Sequence, residues 1–300
     1  MVSNSLKSGI LAIVVGLAVV FNYGCGGSGN DNNSAGVDTA ATKASTQNAK
    51  AQNIFYSIPS PIEVASLIKK AGAKYDKSYL NPIENVSKYT SSISKALNLG
   101  VYGSDLSFTS IFEQTQESML YLKCANTLAS GLGINGAFGS ATVSRVEANM
   151  ENRDSLLEII SDAFWTADSY LKENDRPNTS ALIIVGGWVE GLYIASVVAE
   201  STGNPDITTR IGEQKLSLQN LIDLLQSYGK DESTEFILND LKSLKEIYDG
   251  VQFTKTKVET KTDSKTQITT IGGSSNISIS KEQLKTISAK IQSIRNNIIQ

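Results

Sequence analysis

One stretch limits the architecture more than any other. Ala181 to Ala199 reads ALIIVGGWVEGLYIASVVA, nineteen residues whose only charge is Glu190. A helix drawn through it is apolar on every side, and such a helix must be buried, in a protein core or in lipid. Gly187, Gly191 and Ala195 recur every fourth residue, so a neighbouring helix can approach closely in either medium. A central glutamate is costly in hydrocarbon and glycines weaken an isolated helix. With amphipathic segments on both sides, the stretch reads as the central helix of a bundle.

The surrounding punctuation is helical. Ser60-Pro61-Ile62-Glu63 and Asn81-Pro82-Ile83-Glu84 each offer a cap acceptor, proline at the first helical position and glutamate to close a capping box. Helices are predicted from both, ending near Gly72 and Gly100. Gly100-Val101-Tyr102-Gly103-Ser104-Asp105 reads as a turn ending in an aspartate cap, or less simply as a loop shaping a site. Apolar periodicity predicts further helices over 105–131, with Ser110 and Glu113 as an inner box, and over 154–173, 206–228 and 231–249. A last helix opens at Ser280 and carries Leu284, Ile287, Ile291, Ile294 and Ile298 on one stripe. Between them, 252–280 alternates polar with β-branched residues and predicts a small hairpin turning at Gly272-Gly273. The expected fold is all-α: an irregular antiparallel helical bundle of about eight to nine helices spanning 54–300, with a β-hairpin insertion before the last helix.

The amino terminus reads as an address. Ile10 to Phe21 is an unbroken apolar run, the length of a signal-peptide core and too short to span a bilayer. Asn22-Tyr23-Gly24-Cys25 follows and resembles the lipobox of bacterial lipoproteins. Gly24 matches the position before the cysteine, whereas Asn22 and Tyr23 stand where that family has an aliphatic and a small residue. The resemblance implies a signal peptide over 1–25 and lipidation of Cys25. The absence of aspartate after Cys25 implies the outer membrane, with the body in the periplasm. The alternative is a disulfide between Cys25 and Cys124. Residues 26–53 lack large apolar side chains and read as a flexible linker. Cys124 lies four residues from both Leu120 and Leu128, at a core position of a helix. The helical body is similar to the lipoproteins of unknown function found in diderm bacteria.

Chemistry is restricted by composition. The chain has no histidine, which excludes Ser-His-Asp and Cys-His catalysis and imidazole-based metal sites. After Gly250, eight basic residues stand against three acidic ones, while the whole chain carries −3. Without a stripe that interleaves basic and aromatic residues, no nucleic acid is expected as a partner. Ser-x-x-Lys at Ser66, Ser92 and Ser278 lacks the companion Lys-Thr-Gly of penicillin-binding enzymes. Glu158 and Asp162 are expected on a solvated helix face. No catalytic, metal or cofactor site is assigned. The candidate ligand-binding residues are Trp165, Trp188, Glu190 and Tyr193, because a buried carboxylate needs either a cavity or a charged partner. The expectation is a membrane-tethered envelope lipoprotein that acts as a binding or scaffold module on a protein partner or small ligand. The alternative is an envelope hydrolase using carboxylates or a Ser-Lys pair.

Overall fold

The computed structural model describes residues 60–300 apart from 151, 229–233, 256–258, 263–268 and 273–274. The leader, Cys25 and the linker lie outside the described residues. The fold is all-α with a small antiparallel hairpin before the last helix. In chain order the helices are α1 (Pro61–Lys70), α2 (Ser92–Ile111), α3 (Thr115–Gly131), α4 (Asn135–Phe138), α5 (Ser140–Ala148), α6 (Arg153–Glu173), α7 (Pro177–Thr202), α8 (Pro205–Ser227), α9 (Glu235–Asp249) and α10 (Lys281–Ile299). Two 3-10 turns, Lys77–Tyr79 and Ile83–Lys88, precede α2.

The central helix is where the sequence places it. α7 is long and apolar enough to cross a membrane, yet 83% of its most apolar stretch is buried inside the protein. It packs most extensively on α2, then on α10 and α8. The α2–α7 approach is backbone on backbone: a Cβ on Gly186 would lie 1.9 Å from the Leu97 carbonyl oxygen, and one on Gly100 would lie 2.0 Å from that of Ile183. Only glycine fits at either position, because a main-chain oxygen in a helix cannot move aside.

This contact overturns one expectation. Gly100 to Asp105 is not a turn but the middle of α2, which runs unbroken from Ser92 to Ile111. Its glycines serve packing, Gly100 against α7 and Gly103 against the Phe164 ring on α6. The helix expected from Asn81 is likewise replaced. Residues 83–88 form a 3-10 turn with no side-chain cap, and α2 starts ten residues later on the Ser91 cap. The reason is tertiary: Asn81 is fully buried, and its side chain bonds to Tyr89, Asn98 and Asn85 instead of capping. The expected 105–131 helix breaks between Ile111 and Thr115. There Glu113 takes a left-handed φ of 60° instead of closing an inner box. Lys69 secures this corner from α1, donating to the Ile111 carbonyl at 2.6 Å and to Glu113 at 2.7 Å.

Elsewhere local signals prevail. Of the predicted capping boxes the one at Ser60 and Glu63 forms, and Ser280, where the last helix is expected to open, closes another with Gln283. The α10 stripe of Leu284, Ile287, Ile291, Ile294 and Ile298 is buried throughout. In the hairpin, β1 (Gln252–Lys255) pairs with β4 (Ser275–Ser278), and β2 (Glu259–Thr262) with β3 (Thr269–Gly272). Gly272 sits opposite Glu259 in a ladder, so the expected Gly272-Gly273 turn is displaced. The β-branched run Thr269-Thr270-Ile271 favours pairing. Ile277 and Ile279 anchor the hairpin on α8, where Gly212 leaves room for them.

Candidate functional site

α7 divides its three candidate residues between two faces, the fourth, Trp165, lying on α6. Trp188 and Glu190 are two positions apart on a helix, roughly 200° around it, whereas Glu190 and Tyr193 share a face. The structure accordingly brings Trp188 together with Trp165, and Glu190 together with Tyr193, in two separate places.

The first place is a groove of about 510 Å³ between the start of α1 and helices α2, α6 and α7. Trp165, Phe164 and Ile160 from α6 form one wall, and Trp188, Ile183 and Ile184 from α7 the other. Gly100, Gly103 and Gly187 also border it, packed against the Ile183 carbonyl, the Phe164 ring and the Gly100 carbonyl respectively. Trp188 is buried and held in one orientation, its indole N–H donating to Gln214 Oε1 at 3.0 Å. Trp165 is 45% exposed and stands at the rim. Deep in the same groove the Asp168 carboxylate accepts from Ser180 Oγ and from Lys172 Nζ at 2.7 Å. Both tryptophans of the chain therefore border one cavity of ligand size.

The second place is filled by an ion pair. Glu190 is completely buried and forms a two-pronged ion pair with Arg295 of α10, Oε2 to Nε at 2.6 Å and Oε1 to Nη2 at 2.7 Å. The Arg295 guanidinium lies 4.2 Å from the Tyr193 ring centre, and its Nη2 also donates to the Tyr79 carbonyl at 3.1 Å. Burial works against the guanidinium's charge, but Glu190 outweighs it and raises the Arg295 pKa. Glu190 is therefore a structural ion-pair member and does not line the groove. Sequence reasoning allowed it a charged partner but did not find Arg295, which there counts only as one basic residue of the tail.

Asp105, read as a cap, is the other unforeseen member of this cluster. It is fully buried in α2, and Oδ2 accepts the Asn81 N–H at 3.2 Å. Oδ1 has no donor among the described residues and faces the Glu190 carboxyl. Burial, then the charge on Glu190, push the Asp105 pKa well above the usual carboxylate range, with Arg295 and the Asn81 N–H working in the opposite sense. Protonation would give Asp105 a hydrogen to offer the Glu190 carboxylate. Around it, Tyr121 donates to the Asn81 carbonyl, Tyr102 to that of Pro82, and Asn98 to that of Ile298. The arrangement stitches the 77–90 segment, α2, α7 and α10 together. It binds the protein to itself.

The remaining candidates carry less. A depression of about 560 Å³ at the starts of α3 and α6 is polar, and its Arg153 and Asp154 pair with each other. Lys69 of the first Ser-x-x-Lys is held by Ile111 and Glu113. Glu158 and Asp162 are exposed as expected, Asp162 pairing with Arg145. Cys124 is buried, its thiol 3.8 Å from the Ile83 carbonyl and its pKa pushed up to about 11 by burial, so it is unreactive. Leu120, four residues before it, points to solvent. Among the described residues no group of three carboxylates or thiols is placed to hold a metal. Compared with protein-family models, with curated proteins and with solved structures, the chain matches none of them.

Proposed function

We propose that this chain is a lipid-anchored protein of the bacterial cell envelope. It is tethered to the outer membrane through Cys25, and its helical body works in the periplasm as a binding module. The groove of about 510 Å³ is the observation that carries the binding reading: its aromatic and aliphatic walls make a preformed, mostly apolar cavity. The anchor rests on the apolar run and the lipobox-like Gly24-Cys25.

Purification of the full chain from membranes, followed by solvent extraction and mass spectrometry, tests the module. A small apolar molecule recovered in near-stoichiometric amount, and depleted from a Trp165→Ala variant, is the expected result. Recovery of a stable protein partner with an empty groove would favour the scaffold reading over this one. The anchor is tested in parallel, since Cys25→Ser should abolish lipid labelling and release the chain from membranes. Unchanged attachment would refute lipidation.

A further inference from the structure

The groove's charge distribution defines its ligand more closely. Every charged side chain that lines it is a carboxylate: Glu63 at the start of α1, and Asp162 and Asp168 on α6. α2 and α7 contribute no charge to the lining. The basic partners stand outside it, Arg145 of α5 reaching Asp162 at 3.2 Å and Lys172 reaching Asp168 at 2.7 Å. Glu63 accepts the Ser60 N–H at 2.9 Å as part of its capping box and makes no ion pair among the described residues.

The walls add a second preference of the same sign. Trp165, Phe164 and Trp188 present aromatic surface, whose faces carry partial negative charge and attract cations by about 0.5–1 kcal/mol each at accessible sites. An anionic head would face carboxylates and ring faces together, while a neutral ligand gains only from burial of its apolar area.

Resting on the binding-module reading above, we propose that the groove takes a hydrophobic organic cation, an ammonium-type head on an aromatic or branched apolar body. The body lies between the tryptophans, and the head sits at the rim near Glu63 and Asp162.

The test uses intrinsic fluorescence, because the chain's two tryptophans, Trp165 and Trp188, both border the groove. The full chain, held in polymer-bounded particles of zwitterionic lipid, is titrated with three probes of one shape. These are a phenylalkyl-trimethylammonium, its uncharged tert-butyl isostere and a phenylalkyl sulfonate. The cation is expected to bind roughly tenfold more tightly than the neutral isostere, and the sulfonate more weakly than either. The double variant Glu63→Gln/Asp162→Asn should weaken the cation by roughly tenfold and leave the neutral probe within about twofold. Its fold is protected, because glutamine also closes a capping box and the Asp162–Arg145 pair is solvent-exposed. Equal binding of cation and isostere, unchanged in the double variant, overturns the cation assignment and leaves the groove reading standing. A fluorescence spectrum that no probe alters overturns the groove reading itself.

Discussion

Replacing Asp105 by asparagine should make this protein more stable at neutral and alkaline pH, the opposite of what removal of a buried charge ordinarily does. Asp105 is wholly buried, and its carboxyl is held well above the usual range, first by burial and then by Glu190. The folded state therefore holds this proton more tightly than the unfolded chain, whose aspartates titrate near 3.9. The contribution to stability is complete below that unfolded value and is lost as pH rises through the folded one. In between, the unfolded chain has released its proton and the native chain has not, so stability falls by about 1.4 kcal/mol per pH unit. Asparagine reproduces the neutral acid without this penalty: its amide N–H can donate to Glu190 and its oxygen can accept from Asn81. Urea unfolding of the wild type and of Asp105→Asn, at unit steps from pH 5 to 8, measures the difference directly. The advantage of the variant should grow as pH rises, until the buried carboxyl itself ionises. A difference that stays constant across the range would show that folding does not raise the Asp105 pKa, and would refute the reasoning.

Two further predictions concern the same core. Glu190→Gln leaves Arg295 buried without its counter-charge and should cost about 3–5 kcal/mol, whereas Glu190→Gln/Arg295→Met should recover most of that loss in chemical unfolding; additive losses would show that the two side chains act independently. Gly186→Ala drives a methyl into the Leu97 carbonyl and should lower thermal stability by at least about 3 kcal/mol, while Gly136→Ala, with nothing within 4 Å of the new methyl, should stay within about 0.5 kcal/mol. Equal effects at the two glycines would remove the backbone-contact account of the α2–α7 interface.

The features legible in the sequence are those whose causes are local. The capping boxes at Ser60 and Ser280 and the isoleucine stripe of α10 are written within a few turns of chain, and the structure follows them. The all-round apolarity of 181–199 states burial without naming the neighbours. What could not be read depends on contacts between segments distant in the chain. Gly100 and Gly103 look like turn residues until the Ile183 carbonyl and the Phe164 ring are brought against them. Asn81-Pro82 has the chemistry of a helix start, but its asparagine gains more hydrogen bonds in the interior than a cap provides. The candidate site was half legible. Trp165 and Trp188 do meet at one groove, while Glu190 and Tyr193 turn away from it, a division that helical geometry already implies. Asp105 could not be recognised because its neighbours come from the other side of the bundle.

The ion pair of α7 and α10 also orders events in time. Glu190 and Arg295 are 105 residues apart, and α10 receives hydrogen bonds from Asn98 and Tyr89 through the carbonyls of Ile298 and Ile299. A chain that appears amino-terminus first thus presents the carboxylate of its innermost helix long before the guanidinium that neutralises it exists. Until α10 arrives, the assembled helices have a charged, solvent-seeking seam where the finished protein has its driest point. Lys281–Ile299 in this sense acts as a latch on the helices that precede it.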